Sequence, residues 1–207
     1  MFKNIIFDWS GVIKNAVEDH GWVVNRMLKA LGGQEMTLEG IKQNWEQPYM
    51  RFWNKYFPDM TLAEEQKIYY EAISSKDCPP AKLYPGIAEL IEKVKGQGVF
   101  MAVLSSDPVA TIFSEIKKFD LENVFVEVLA NIHDKSEVIH DLVKRNNFKP
   151  KETVFIGDTN HEIEAGKQAG VKTIVVTWGF YPEDRLKALG PDYLAHNIEE
   201  LENILLK

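Results

Sequence analysis

Five short apolar runs, at 5–7, 99–104, 125–129, 153–156 and 173–177, are rich in Val, Ile and Phe and are broken by almost no polar residue. Runs of that kind suit parallel strands buried on both faces. Helical stripes lie between them. Ile87, Leu90, Ile91 and Val94 follow the i, i+3, i+4, i+7 spacing, and Val109, Ile112, Phe113 and Ile116 repeat it. Strand and helix in alternation predict an α/β fold built on a doubly wound parallel sheet. Right-handed crossovers then bring the strand C-termini to one edge, where such sheets bind ligands.

One interval breaks the alternation. Residues 15–80 show helical periodicity and no convincing strand. Trp45, Tyr49, Phe52, Trp53 and Tyr56 form a stripe there, and Pro58, Pro79 and Pro80 punctuate it. This predicts an all-helical cap domain over 15–80, inserted into a core formed by 1–14 and 81–207.

The length of 207 residues suits one domain carrying a substantial insertion. With 45% hydrophobic and 27% charged residues the composition is that of a globular chain. The net charge of −7, with no basic run, argues against nucleic-acid or acidic-membrane partners. Cys78 is the single cysteine, so no disulfide can form within the chain. The first residues do not read as a signal peptide, and no apolar stretch approaches the ~18 residues of a membrane span. A cytoplasmic location is expected.

Four segments stand where predicted strands end. Asp8 follows the first run, Ser105 the second, and Lys135 lies in the loop after the third. Asp158 follows the fourth, with Glu162 four residues on. On a parallel sheet these residues gather at one edge. Two carboxylates can hold Mg²⁺, a hard cation that takes oxygen ligands. An ammonium and a hydroxyl can receive a phosphoryl group.

Each residue also has a plain structural reading. Asp8 and the Gly157-Asp158-Thr159 turn could serve as helix caps, as could Ser105-Ser106-Asp107 ahead of Pro108. A lysine is most often a solvated charge. The five histidines, His20, His133, His140, His161 and His196, form no metal-ligand spacing and read as surface residues. Cys78 has no histidine near it in sequence. The aromatic stripe reads first as cap core, with one or two rings facing substrate as the functional alternative.

The ordered set of segments carries more than any one of them. Ile5-Ile6-Phe7-Asp8-Trp9-Ser10-Gly11-Val12-Ile13, Leu83-Tyr84-Pro85-Gly86, Val103-Leu104-Ser105-Ser106, Lys135 and Val154-Phe155-Ile156-Gly157-Asp158-Thr159-Asn160-His161-Glu162 stand in that order. Trp178-Gly179-Phe180 and Asn197-Ile198-Glu199-Glu200-Leu201 follow. Over nearly its whole length the chain resembles the haloacid dehalogenase superfamily, in its phosphatase-like, phosphoglycolate phosphatase-like branch with a helical cap. The resemblance implies a Rossmann-like core and an Asp8 nucleophile that forms an aspartyl intermediate. It implies Mg²⁺ held by the Asp8 carboxylate, the Ser10 main-chain carbonyl and Asp158, with Glu162 near the metal. Ser105, Ser106 and Lys135 would bind the phosphoryl oxygens.

Two positions depart from the family pattern. Ser10 stands where family phosphatases carry a second aspartate as general acid, and a hydroxyl does that job poorly near neutral pH. Glu162 stands where many members have Asp. The expected activity is Mg²⁺-dependent hydrolysis of a small phosphorylated metabolite by a monomer or homodimer. The alternatives are a phosphonate or haloacid hydrolase of the same superfamily, and a phosphometabolite-binding protein that has lost turnover.

Overall fold

The computed structural model describes residues 1–46, 49–132 and 134–207. In chain order the elements are β1 (Asn4–Phe7), α1 (Ala16–Ala30), α2 (Leu38–Asn44), α3 (Met50–Tyr56), α4 (Leu62–Ile73), α5 (Ile87–Lys95), β2 (Phe100–Leu104), α6 (Val109–Lys118), β3 (Glu127–Leu129), α7 (Lys135–Arg145), β4 (Thr153–Gly157), α8 (Asn160–Gln168), β5 (Lys172–Val176), α9 (Glu183–Ala188), β6 (Tyr193–Ala195) and α10 (Ile198–Leu206). They divide into two units: Met1–Asn15 with Lys82–Lys207, and Ala16–Ala81.

The first unit is a six-stranded sheet in the order β3-β2-β1-β4-β5-β6, with every neighbouring pair parallel. The doubly wound α/β, Rossmann-like fold is therefore present. Strand β1 lies between β2 and β4, and there the winding reverses, which makes it the switch point of the sheet. Side chains alternate across the sheet. Ile5 and Phe7 pack on one face with Ile87, Leu90, Ile91 and Val94 of α5. Ile6 packs on the other with Phe155, Ile139 and Leu142. Both faces are covered, so β1 and β4 are buried along their whole length.

Two details differ from expectation. Only half of the predicted α6 stripe is core: Ile112 and Ile116 are buried, while Val109 and Phe113 are each 51% exposed. The sixth strand, β6, was not foreseen. Its three residues run from exposed to buried at a sheet edge, too short and too mixed to show a period.

The chain leaves the sheet unit and returns to it side by side. The Asn15 amide donates to the Lys82 carbonyl at 2.8 Å, and Lys14 bridges Leu83 in antiparallel sense.

The second unit holds α1 to α4 and no strand among its described residues. Thr37 caps α2, and Thr61 with Glu64 forms a capping box on α4. The aromatic stripe does not lie on one helix. Trp45 is the C-cap of α2 in an extended conformation, while Phe52 and Trp53 belong to α3. The stripe runs through Pro48, a helix-breaking residue that lies with Gln47 outside the described residues. The rings still cluster: Trp45 and Phe52 centroids are 5.1 Å apart, Phe52 and Trp53 5.2 Å. His20 is not a surface residue as read from sequence; it is half-buried, edge-on to Trp45 at 4.2 Å. His161 is likewise half-buried, whereas His140 and His196 are exposed, and His133 lies outside the described residues.

Candidate active site

Phe7 pairs with Val103 on one side and with Ile156 on the other. Asp8 follows Phe7 by one residue, and Ser105 and Asp158 follow Val103 and Ile156 by two, so the three leave the sheet at the same edge of three adjacent strands. All three are buried, as are Lys135 at the start of α7 and Glu162 in the first turn of α8.

Asp8 Oδ1 accepts the Trp9 amide at 2.8 Å and lies 3.1 Å from Lys135 Nζ. Among the described residues Oδ2 has no hydrogen-bond partner. Burial pushes the Asp8 carboxyl up to about 7; Lys135 opposes this, and Glu162 and Asp107 add to it. The turn beneath is anchored by Trp9, fully buried, whose Nε1 donates to Glu115 Oε2 at 2.7 Å. Glu115 is in turn paired with Lys14 at 2.7 Å.

Lys135 Nζ also donates to Glu162 Oε1 at 2.7 Å. Burial alone would lower the lysine pKa, but Asp8 and Glu162 outweigh it and raise it, so the ammonium stays charged. Glu162 itself is held below the usual carboxylate range: burial opposes this, but Lys135 and Thr159 prevail. Its other oxygen, Oε2, accepts the Thr159 amide at 3.0 Å and the Thr159 hydroxyl at 2.5 Å. Glu162 thus closes the capping box of α8 while it braces the lysine.

Asp158 Oδ2 accepts the Phe180 amide at 2.7 Å, and its Oδ1 is buried without a partner among the described residues. Burial, then Glu162 and Asp8, raise the Asp158 carboxyl well above its ordinary value. The strand-to-helix turn here is capped by Thr159, so Asp158 is free of the capping task that the sequence allowed it. Two glycines give it room. A side chain at Gly11, where φ is +88°, or at Gly179 would overlap the Asp158 carboxyl group.

Asp8, Asp158 and Glu162 each offer an oxygen within 4.8 Å of the others. Three carboxyl groups, those of Asp8, Asp158 and Glu162, surround the Lys135 ammonium among the described residues. The orphaned Asp158 Oδ1, the all-oxygen donor set and the surplus of negative charge all fit a divalent cation such as Mg²⁺.

The loop after β2 differs from the sequence reading. Helix α6 is entered at Pro108 with no side-chain cap, so Ser105-Ser106-Asp107 does not cap it. Ser105 is buried, and its Oγ accepts the Asp107 amide at 3.1 Å; Ser106 is exposed. Asp107 instead turns toward the β1 loop. Its Oδ2 accepts the Ser10 hydroxyl at 2.5 Å and the Ser105 hydroxyl at 3.3 Å. Sequence reasoning did not place Asp107 in the site, because an acid before a proline at a helix start has an ordinary explanation. The Phe180 amide was also missed, since a main-chain donor leaves no trace in residue type.

The family profile of haloacid dehalogenase-like hydrolases matches residues 5–176. A phosphoglycolate phosphatase of Synechococcus elongatus is 31% identical over 128 residues, which span 60% of this chain and 60% of that enzyme. A phosphoglycolate phosphatase of Haemophilus influenzae is 25% identical over 99% of this chain and 98% of its own. The solved structure of a haloacid dehalogenase-like family hydrolase from Streptococcus pneumoniae superposes with a TM-score of 0.83 at 20% identity, covering 98% of each chain. No helix among the described residues is long and apolar enough to cross a membrane. The match of profile, covering most of the sheet unit and all of the helical one, establishes that the chain belongs to the haloacid dehalogenase-like hydrolase family.

Proposed function

We propose that the protein is a Mg²⁺-dependent phosphatase acting on a small phosphorylated metabolite through an aspartyl-phosphate intermediate. The observation that carries this reading is the state of Asp8. It is buried at the end of the central strand, with Oδ1 fixed by the Trp9 amide and Lys135 and with Oδ2 uncommitted. That leaves one oriented carboxylate oxygen to attack phosphorus. The relatives named phosphoglycolate phosphatase support the same reaction class.

The contacts support the following roles. Asp8 Oδ2 forms the new bond to phosphorus as the ester P–O bond breaks and the leaving group departs. Lys135 neutralises charge on the phosphoryl oxygens, and Glu162 keeps its ammonium in place. Ser106 presents its hydroxyl to the phosphoryl group, and Ser105 does so once its hydroxyl turns away from Asp107. The cation would be held by Asp8, Asp158 and the Ser10 main-chain carbonyl. Glu162 borders it, with both oxygens already engaged. When bound, Mg²⁺ supplies charge neutralisation for the transferring group. The helical unit, Ala16–Ala81, is proposed to serve as the cap on which substrate choice depends.

A panel of aryl, acyl and alkyl phosphates, a phosphonate and a 2-haloacid, each with Mg²⁺ or EDTA, tests the reading. Phosphate release that needs Mg²⁺ and is abolished in Asp8→Asn supports it. Full activity in EDTA on the haloacid, or more than a few per cent activity in the variant, overturns it.

A further inference from the structure

Ser10 faces a carboxylate from the loop after β2. Ser10 and Asp107 lie 97 residues apart in sequence, yet the Ser10 hydroxyl donates to Asp107 Oδ2 at 2.5 Å. The same oxygen receives the Ser105 hydroxyl at 3.3 Å. Asp107 is itself held from behind. Its amide donates to Ser105 Oγ at 3.1 Å, and its carbonyl accepts the Asn131 amide at 2.8 Å. The carboxylate is therefore a fixed acceptor that joins the β1 loop to the β2 loop.

A hydroxyl has one proton. With that proton given to Asp107, Ser10 Oγ can only accept hydrogen bonds from anything else that reaches it. It cannot protonate a leaving group in the first half of the reaction. It can receive a proton donor in the second half, when water attacks the aspartyl phosphate. Ser10 is half-buried, so water can reach it.

We propose that Asp107 is a positioning residue for the hydrolysis step: it fixes Ser10 Oγ as the hydrogen-bond acceptor that orients the attacking water. The proposal rests on the reading of Asp8 as nucleophile. In this step the water oxygen bonds to phosphorus and the bond from phosphorus to the Asp8 oxygen breaks. The electron pair returns to the Asp8 carboxylate, and both water protons leave with the phosphate as dihydrogen phosphate. Ser10 and Asp107 keep the proton they share. Their contribution is orientation of the water lone pair toward phosphorus.

Rapid-quench kinetics with p-nitrophenyl phosphate and Mg²⁺ separates the two half-reactions, because nitrophenolate leaves in the first. In Asp107→Ala and in Ser10→Ala, kcat falls by about tenfold, the scale of one lost hydrogen bond. The nitrophenolate burst rises toward one per site, and kcat/KM, which reports the first step, stays at the wild-type value. Asp107→Asn can still present a carbonyl oxygen to Ser10, and it holds kcat within about threefold of wild type. Unchanged kcat in Asp107→Ala overturns the proposal. So does a parallel fall in kcat and kcat/KM without a burst, which marks a merely structural disturbance, and so does failure of the asparagine variant to rescue. A wild-type protein that releases no phosphate overturns the phosphatase reading and this proposal together, an outcome distinct from the other three.

Discussion

Lys135 Nζ donates to Glu162 Oε1 at 2.7 Å, and this one bond ties the first turn of α7 to the first turn of α8. The length of the glutamate stem lets one carboxylate reach the lysine with one oxygen and cap its own helix with the other. Many family members are expected to carry Asp at this position. Glu162→Asp should lose one of the two contacts. Loss of the cap costs about 1 kcal/mol of stability, and loss of the lysine contact lowers kcat by about tenfold. Urea denaturation and steady-state kinetics on one sample distinguish them. A variant unchanged in both would show that the added methylene has no function.

The Ser10 hydroxyl faces an acceptor, so the leaving group receives no proton from it. A positioned general acid is worth roughly 10²–10⁴-fold, and most for basic leaving groups. The expected result is a steep dependence of kcat/KM on leaving-group pKa, with aryl and acyl phosphates far ahead of alkyl phosphates. A flat series would mean that another group, or the substrate itself, donates the proton.

The meeting of Asp8, Ser105 and Asp158 at one edge of the sheet was legible in the sequence, and the reason is geometric. Asp8, Ser105 and Asp158 each follow a buried apolar run, and a parallel sheet brings such positions to one edge whatever their separation in sequence. Lys135 is legible for a weaker reason: its place depends on α7 starting there. Asp107 was not legible. Its role depends on a loop turning toward β1 instead of capping α6, and residue type does not encode that direction. The two-helix arrangement of the aromatic stripe was hidden likewise, because a 3.6-residue period passes unbroken across a turn of suitable length. Strand β6 escaped because an edge strand of three residues has no period to detect.

Gly179 makes room for the carboxyl group of Asp158. Its substitution by alanine would force the carboxylate to shift, without the added strain that a positive φ imposes at Gly11. Gly179→Ala should weaken Mg²⁺ binding by about tenfold or more. Isothermal calorimetry checks this, with the melting temperature as control. Unchanged affinity would show that Asp158 accommodates the methyl group and that the close fit is not required.

Glu65 in α4 is buried, and burial raises its carboxyl from 4.5 to about 7, opposed by a hydrogen bond from the Trp53 side chain. The folded state then binds this proton more tightly than the unfolded state. The stabilising contribution is fully present below about pH 4.5 and is lost as the pH rises through about 7. Glu65→Gln keeps an acceptor for Trp53 and does not titrate. Relative to this variant, the wild-type protein should lose stability between about pH 5 and about pH 8 in urea denaturation series. Parallel stability curves for the two proteins would refute the assignment.

The central place of β1 has a consequence for biosynthesis. Asn4 pairs with Phe100 on one side and with Thr153 on the other, and its side-chain amide reaches Thr153 across 149 residues of chain. At about 5–20 residues per second, a ribosome takes roughly 7–30 s to make that stretch. Throughout that time the strand that carries Asp8 has at most one of its two neighbours. Asp8, Lys135 and Asp158 therefore come together only after most of the chain has been made. Nascent fragments that end before β4 lack the Asp158 loop, and in them an apolar strand, Ile5-Ile6-Phe7, stays open on one edge to chaperones or to a neighbouring chain.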